Sequence, residues 1–440
     1  MIFNSVTFLL VFLPATLLVT LGLYALPRLA WPGERGEARA TLLCNLFLVA
    51  ASLFFYAWGE PWHVLLLLLA AAGNYGLGLA LEPLVPGSPA IHAPDGPAAS
   101  RQRLLLVAGL ILNLGLLGYF KYLNFFVDTG TLRLLDRVLP QAWRFGEVAR
   151  VAQPIGISFF TFKAISYLMD VSRGRTRPAR SPLAFLCYLA MFPQLLAGPI
   201  ARYVDMAAEI SRRRLSLDRA TTGVTRLIVG LAKKLLIADT LARVADPAFS
   251  VAPDALSATA AWAGMVCYTL QIYFDFSGYT DMAIGIGNLL GFSAPENFDY
   301  PYVARTLRDF WRRWHMSLTT WFRDYLYIPL GGNRRGTART ALNLMLVFLL
   351  CGFWHGASWG FLVWGGYHGL FLALERLFPN ATSRLPRPLQ HLYAILAFSL
   401  GWVLFRAPSL GHAVGYYKAL CGAYAGQAAA NEVFLQLHGG

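Results

Sequence analysis

The chain has 440 residues, of which 57% are hydrophobic and only 14% are charged. This balance excludes a soluble globular domain and a disordered chain. The net charge of +14 does not indicate nucleic acid as a partner, because the arginines lie in short loops between apolar runs, as in membrane proteins. The five cysteines form no C-x-x-C pair, so neither a disulfide framework nor a zinc site is expected.

Apolar runs long enough to cross a bilayer recur along the chain. The first run has no preceding basic residue and is too long for a signal peptide, so it predicts a retained span. Strong spans are predicted at 8–26, 42–58, 63–81 and 104–119. Weaker or interrupted ones are predicted at 155–169, 183–196, 224–238, 258–276, 341–353, 360–377 and 392–405. We therefore expect an all-α, polytopic bundle with about ten or eleven membrane segments, forming one transmembrane domain over residues 1–440.

The positions of the arginines predict the orientation in the membrane. Arg28, Arg35 and Arg39 follow the first span, which places that end in the cytoplasm and the N-terminus outside. The basic segments 173–180 and 305–339 are cytoplasmic by the same rule. Successive spans must alternate in direction, and this requires some apolar runs not to cross the membrane. We expect 191–203 and the glycine-rich 278–292 to be re-entrant. Such a backbone must be buried in protein or line a cavity. Residues 82–102 are predicted to be a loop.

The segment 307–325 has the pattern of one amphipathic helix. Its apolar residues recur at helical spacing, with charged residues on the other side, so we expect it to lie at the cytoplasmic interface. His315 projects from the edge of the apolar stripe and points inward. An ionisable imidazole beside hydrocarbon indicates a functional site, although an interfacial histidine of an aromatic belt is the alternative. The stripe consists of Leu307, Phe310, Trp311, Trp314, Leu318, Trp321, Phe322 and Tyr325.

His355 begins the stretch that is richest in tryptophan and glycine. Repeated glycines let a helix or a ligand approach the backbone closely. A neutral imidazole there would be able to take a proton from a hydroxyl group. His368 follows 13 residues later, which is roughly 220° around a straight helix. The two would not share a face, so no metal site is expected.

Carboxylates and other polar groups also lie within predicted hydrocarbon. Asp275 and Asp281, with Gln271 and Ser277, are in this position, and such groups usually face a cavity or a partner. Structural support of a pocket is the main interpretation for them, and direct catalysis is the alternative. Lys163 and Asp170 are weaker candidates for cavity residues.

Several motifs together resemble one family. The runs PIGISFFTFKAISYLMDV, FPQLLAGPIARY, QIYFDFSGYTDMAIGIGNLLGF, PENFDYPY, DFWRRWHMSLTTWFRDYLYIPLGGNRRG and FLLCGFWHGASWGFLVWGGYHG look like those of the membrane-bound O-acyltransferase (MBOAT) family. The similarity is greatest to its bacterial alginate O-acetylation subunits and covers nearly the whole chain. It implies a multi-pass acyltransferase of the bacterial inner membrane whose helices ring a funnel or tunnel. His315 in WRRWHMS and His355 in FWHG would then form the active site.

The resemblance also implies the substrates. The donor would be acetyl-CoA on the cytoplasmic side, with no permanently bound cofactor, and the acceptor an extracytoplasmic polysaccharide or a periplasmic acetyltransferase partner. One imidazole would be the general base and the other would orient substrate or polarise the thioester; the assignment between them is open. Trp314, Trp354 and Asp275 are further candidates for substrate binding. Five arginines would bind the CoA phosphates: Arg308, Arg312, Arg313, Arg334 and Arg335. The alternative is that they only set the membrane topology and contact lipid headgroups.

Two non-enzymatic functions are alternatives. In a transporter or channel the histidines would relay protons, and single His→Ala variants would keep partial function. In a scaffold of a polysaccharide-secretion complex, the same variants would assemble and leave the polymer fully acetylated. Relatives commonly continue after residues 402–407 with further helices, so we expect this chain to be a shortened or truncated member.

Overall fold

The computed structural model describes residues 3–81, 97–131, 134 and 150–424. Within them the chain is helical, and the β-structure consists of one isolated bridge between Phe298 and Trp314. The predicted all-α class is therefore confirmed. In chain order the α-helices are α1 (Leu13–Ala30), α2 (Glu34–Ala57), α3 (His63–Leu81), α4 (Pro97–Leu117), α5 (Leu123–Asp128), α6 (Ile157–Ser172), α7 (Pro182–Ala190), α8 (Phe192–Leu195), α9 (Tyr203–Ser211), α10 (Leu217–Ala232), α11 (Asp239–Ser250), α12 (Ala258–Leu289), α13 (Leu307–Arg313), α14 (Met316–Phe322), α15 (Gly336–His355), α16 (Trp359–Leu377), α17 (Pro379–Ser383), α18 (Arg387–Arg406) and α19 (Leu410–Leu420).

Six helical stretches in this part of the chain are long and apolar enough to cross a membrane: Phe8–Ala30, Glu34–Ala57, His63–Leu81, Ser100–Asp128, Gly336–His355 and Arg387–Arg406. They include the four strong predicted spans. The weaker predicted spans 341–353 and 392–405 lie within the last two of these stretches. The remaining predicted segments form helices that are shorter or more polar, such as α6 with 16 residues and α7 with 9. The protein is a polytopic membrane protein, while its total number of crossings and its orientation stay predictions.

The structure tests the predictions for segments 82–102 and 191–203 only in part. Most of the predicted loop 82–102 lies outside the described residues, but its last part is helical because α4 begins at Pro97. In the segment 191–203, α7 ends at Ala190 and only the single turn Phe192–Leu195 follows before α9. A broken path is therefore present there, and its re-entry into a membrane stays a prediction.

The prediction of a re-entrant segment at 278–292 is wrong. The glycines in this stretch continue α12, which runs for 32 residues to Leu289. These glycines allow α12 to pack closely against α10, and they do not form a turn. A Cβ on Gly278 would lie 2.7 Å from the carbonyl oxygen of Gly230, and a Cβ on Gly285 would lie 2.6 Å from that of Gly223. Glycine is required because the facing backbone leaves no room for a side chain.

The chain divides into two compact units, of which the first comprises Met1–Leu227 and Met282–Pro295. In this unit, Lys163 of α6 is buried and donates a hydrogen bond to the carbonyl oxygen of Tyr188, at 2.5 Å. Asp170 of the same helix pairs with Arg175, at 3.6 Å. Both groups, predicted as cavity residues, have partners within the first unit.

The second unit comprises Ile228–Asp281 and Glu296–Gly440. In this unit α15 and α16 pack closely, since a Cβ on Gly352 would lie 2.2 Å from the carbonyl oxygen of Phe361. Trp364 of α16 and Trp402 of α18 are fully buried, with ring centroids 6.0 Å apart. Both motif histidines belong to this unit. The single domain expected from the sequence stays a prediction.

Candidate active site

The structure corrects the prediction of one continuous helix over 307–325. Helix α13 ends at Arg313, and a new helix, α14, begins at Met316. Between them His315 has φ 45° and ψ 55°, a left-handed conformation that is costly for a residue with a side chain. The apolar spacing predicted the buried face but not the break, because the stripe continues across it.

Backbone hydrogen bonds from a preceding segment compensate for this break. The amide of Asp299 donates to the carbonyl oxygen of Arg313 at 3.0 Å, and the amide of Met316 donates to that of Asn297 at 2.9 Å. The bridge between Phe298 and Trp314 lies between these two bonds. The segment 297–299 thus satisfies backbone groups that an unbroken helix would pair internally.

The apolar stripe is buried as predicted, each member being at most 7% exposed: Leu307, Phe310, Trp311, Trp314, Leu318, Trp321, Phe322 and Tyr325. At the start of α13, the hydroxyl of Thr306 accepts a hydrogen bond from the amide of Asp309, at 3.0 Å, as an N-cap. Burial of this face explains why the segment packs within the second unit despite its many arginines.

His315 itself is buried, with 2% of its surface exposed. Its Nδ1 lies 3.1 Å from Oδ1 of Asn297, and Phe276 meets the imidazole edge-on, with ring centroids 4.7 Å apart. Burial lowers the pKa of His315 well below its usual value, and the charge of His355 lowers it further. The imidazole is therefore neutral near pH 7, the form that accepts a proton.

His355 is the last residue of α15 and is half-buried. Its ring packs against three aromatic residues, with centroid distances of 4.8 Å to Trp354, 5.3 Å to Trp364 and 5.3 Å to Phe405. Trp354 also lies 6.5 Å from the ring of His315. The predicted residue Trp354 thus contacts both histidines.

The two histidines line one pocket with a volume of 330 Å³. Its walls are mainly apolar and aromatic, and the charged groups on them are Arg312 and Arg323. Such a pocket, apolar with a few convergent polar groups, is typical of a substrate site. The full lining is Trp311, Arg312, Trp314, His315, Leu318, Thr319, Phe322, Arg323, Tyr327, Leu344, Val347, Phe348, Cys351 and His355.

The predicted arginines are distributed unevenly about this pocket. Arg312 lines it, whereas Arg313 forms ion pairs with Asp309 at 2.9 Å and Asp299 at 3.1 Å. The other three do not line it: Arg308 is half-buried, while Arg334 and Arg335 are exposed beside the start of α15.

Asp275 does not line the pocket either. Its carboxylate forms an ion pair with the ammonium group of Lys234, at 2.7 Å, and the same ammonium group pairs with Asp239 at 2.8 Å. Asp281 pairs with Lys233 at 2.6 Å. These acidic residues of α12 thus have lysine partners from the neighbouring π-helical turn Lys233–Ala238.

His368 is fully buried on α16 and stands outside the pocket. Its ring centroid lies 5.0 Å from those of Trp311 and Trp364. The described residues contain no cluster of three or more histidine, cysteine or acidic side chains that would hold a metal ion.

Sequence reasoning missed two polar residues of this site. Arg323 lines the pocket from the π-helical turn Arg323–Tyr327. The basic residues of the segment 307–325 were the sequence pattern that could have indicated it. Asn297 is 0% exposed and contacts His315. It stands in the run PENFDYPY, but its partner His315 follows 18 residues later, beyond the reach of any local pattern.

Comparison with known proteins identifies the family. The family model described as MBOAT, membrane-bound O-acyltransferase family, matches residues 157–410. The chain is 42% identical over 431 residues to the "Probable alginate O-acetylase AlgI" of Pseudomonas aeruginosa, covering 96% of this chain and 75% of that protein. It is 36% identical to the "Peptidoglycan O-acetyltransferase" of Helicobacter pylori, covering 96% and 80%.

A more distant relative, the "Teichoic acid D-alanyltransferase" of Bacillus subtilis, is 27% identical over 237 residues, covering 51% of this chain and 59% of its own length. The names of these relatives describe transfer of acyl groups to different acceptors. Together with the match over more than half of the chain, they make this protein an acyltransferase. The chain belongs to the membrane-bound O-acyltransferase family.

Proposed function

We propose that this protein moves acetyl groups from cytoplasmic acetyl-CoA to an extracytoplasmic polysaccharide, directly or through a periplasmic acetyltransferase partner, in a bacterial inner membrane. The observation that supports this most is the lining of one pocket by His315, His355, Arg312 and Arg323. Alginate is the favoured acceptor, because five relatives named as probable alginate O-acetylases are 41–43% identical over 96% of the chain.

The proposed donor fits the two kinds of surface in the pocket. Arg312 and Arg323 are exposed at its wall, where guanidinium groups would bind phosphates of CoA through charge-assisted hydrogen bonds. Phe322, Val347 and Phe348 supply apolar walls for the uncharged arm that carries the thioester. The reacting carbonyl would then lie beside the histidines, away from bulk water.

The proposed reaction is a direct acyl transfer. A neutral imidazole takes the proton of the acceptor hydroxyl while the oxygen attacks the thioester carbonyl, forming a tetrahedral intermediate. Its collapse breaks the carbon–sulfur bond and expels the CoA thiolate. The imidazolium returns its proton to that sulfur, so the products are the acetyl ester and CoA.

The decisive experiment measures acetylation of alginate in a strain that lacks its own membrane subunit and carries this protein. His315→Ala and His355→Ala are each expected to lower the acetyl content at least 100-fold, since general acid–base groups contribute about 10²–10⁴-fold. His412→Ala is a matched control, because His412 lies in α19, outside the pocket. Normal acetyl content in both pocket variants would contradict the enzymatic function, and partial transport activity without turnover of acetyl-CoA would favour a transporter.

A second arm tests the donor. With purified protein, Arg312→Gln is expected to raise KM for acetyl-CoA about tenfold or more, since a hydrogen bond to a charged group contributes about 1.5–3 kcal/mol. Arg335→Gln removes the same charge from an exposed position outside the pocket and should leave KM unchanged. Equal effects of both substitutions would mean that the arginines act only through overall charge.

A further inference from the structure

Asn297 makes three hydrogen bonds through one atom. Its Oδ1 accepts from the backbone amide of Ser317 at 3.1 Å and from the hydroxyl of Ser317 at 2.7 Å, and it lies 3.1 Å from Nδ1 of His315. The side chain is 0% exposed, so solvent does not compete for this oxygen. Among the described residues, Nδ2 of Asn297 has no hydrogen-bond partner.

These bonds determine which end of the amide faces His315. The backbone amide of Ser317 is only a donor, so the atom of Asn297 that it meets must be the oxygen. Rotating the side-chain amide by 180° would set two donors against each other in a buried site, at the cost of leaving both unpaired. The atom facing Nδ1 of His315 is therefore an acceptor.

The protonation of the imidazole follows from this. An amide oxygen does not donate, so Nδ1 of His315 must carry the hydrogen. In the neutral ring the lone pair then belongs to Nε2. Because His315 lines the pocket, Nε2 is the nitrogen of this ring that is able to accept a proton from a substrate there.

The backbone around His315 depends on the same asparagine. The carbonyl oxygen of Asn297 accepts from the amide of Met316 at 2.9 Å, next to the left-handed residue His315. Phe276 meets the ring edge-on from another side, at an interplanar angle of 87°. Asn297 thus holds both the strained backbone and the ring of one histidine.

We propose that Asn297 is a positioning residue that fixes His315 as the Nδ1–H tautomer, so that His315 acts through Nε2 as the general base of acyl transfer. The inference rests on the proposed function, and it assigns the proton-accepting role, which the sequence leaves open between two histidines. His355 is then the residue that orients substrate or polarises the thioester.

The test compares the pH dependence of kcat/KM for three purified variants with acetyl-CoA and alginate. Asn297→Asp keeps an oxygen beside Nδ1 but adds a negative charge, and an opposite charge at this distance raises the pKa of an imidazole by about 1–3 units. The acid limb of the profile should therefore move to higher pH by about one unit or more, with the alkaline plateau largely retained. The other titratable or charged groups on the pocket are Arg312, Arg323, Tyr327, Cys351 and His355, which the substitution leaves in place.

Asn297→Leu removes the acceptor and should lower kcat about 100-fold at every pH, with KM for acetyl-CoA changed less than threefold. Ser317→Ala is the matched control, because it removes one donor to the same oxygen and leaves the contact to His315. Its acid limb should coincide with that of the wild type. If Asn297→Leu does not fold, as judged by gel filtration in detergent, the Asp variant alone decides.

The inference is overturned if the acid limb of Asn297→Asp coincides with that of the wild type, or if folded Asn297→Leu keeps its kcat. Failure of the proposed function gives a different result. In that case His315→Ala retains acetylation, whatever the Asn297 variants do. An inactive His315→Ala with unchanged Asn297 variants would refute only the positioning role.

Discussion

Glu375 of α16 caps the helix that leads to His315: its Oε1 accepts a hydrogen bond from the backbone amide of Leu307, at 2.7 Å. Its Oε2 accepts from the next amide, that of Arg308, at 3.0 Å. Tyr393 donates to the same carboxylate at 3.1 Å. A residue 60 positions away from His315 thus satisfies the first amides of α13, where a negative charge is also favourable.

Removing this cap should destabilise the second unit. We expect Glu375→Ala to lower the free energy of unfolding by about 1–2 kcal/mol, the usual contribution of a helix cap, because one buried and one partly buried backbone amide lose their acceptor. Thermal unfolding in detergent measures the effect. Glu375→Gln retains one oxygen and should lie between the wild type and the Ala variant, whereas an Ala variant as stable as the wild type would refute the capping role.

Two adjacent glycines of α16 should respond very differently to alanine. A Cβ on Gly365 would lie 2.3 Å from the carbonyl oxygen of Phe348, whereas one on Gly366 would lie 3.5 Å from a methyl group of Leu349. Gly365→Ala must therefore push α15 and α16 apart, at a cost of about 1–3 kcal/mol. Since His355 ends α15, acetylation should also fall.

Gly366→Ala is the control for this prediction, because its new methyl group makes only an ordinary van der Waals contact and alanine favours a helix. Its melting temperature should equal or exceed that of the wild type. Similar melting temperatures for both variants would mean that the two helices do not need their close approach.

A pair of asparagines joins α3 to α4 in the first unit. Asn74 donates to Oδ1 of Asn113 at 3.1 Å, and Asn113 donates to Oδ1 of Asn74 at 2.7 Å. Each amide also donates to a carbonyl oxygen of its own helix at 2.8 Å. Replacing one residue leaves the oxygen of the other without its cross-helix donor, which is unfavourable inside a membrane.

A double-mutant cycle tests this pair. Asn74→Leu and Asn113→Leu should each destabilise the protein, and the double variant should be less destabilised than the sum of the two. The coupling free energy should be about 1 kcal/mol, within the range measured for interhelical hydrogen bonds in membranes. Strict additivity would show that the amides do not interact.

The pH dependence of the wild type should follow the environment of His315. Burial and the charge of His355 lower the pKa of His315, so the ring binds a proton only at a lower pH than a free imidazole. Because the base must be neutral, kcat/KM should persist as the pH falls through about 6.5. Activity already half lost above this pH would contradict the prediction, and unfolding over the same pH range is the control.

Much of this architecture follows from the order of residues alone. Apolar runs predict spans because a membrane helix must bury about 20 apolar residues, and α3 has the predicted limits 63–81. The stripe from Leu307 to Tyr325 identifies the buried face, since helical spacing places these residues on one side. The unusual polarity of His315 and His355 marks both as candidates for a site, and the resemblance to the family supplies the chemistry.

Tertiary structure decided what depends on partners distant in the chain. The break at His315 exists because segment 297–299 accepts and donates the hydrogen bonds that a continuous helix would make internally. The pairing of Asp275 with Lys234, 41 residues earlier, likewise directs that carboxylate to an ion pair outside the pocket. The spacing of apolar residues shows which face of a segment is buried. It does not show which distant group forms a hydrogen bond with a backbone amide or an imidazole nitrogen.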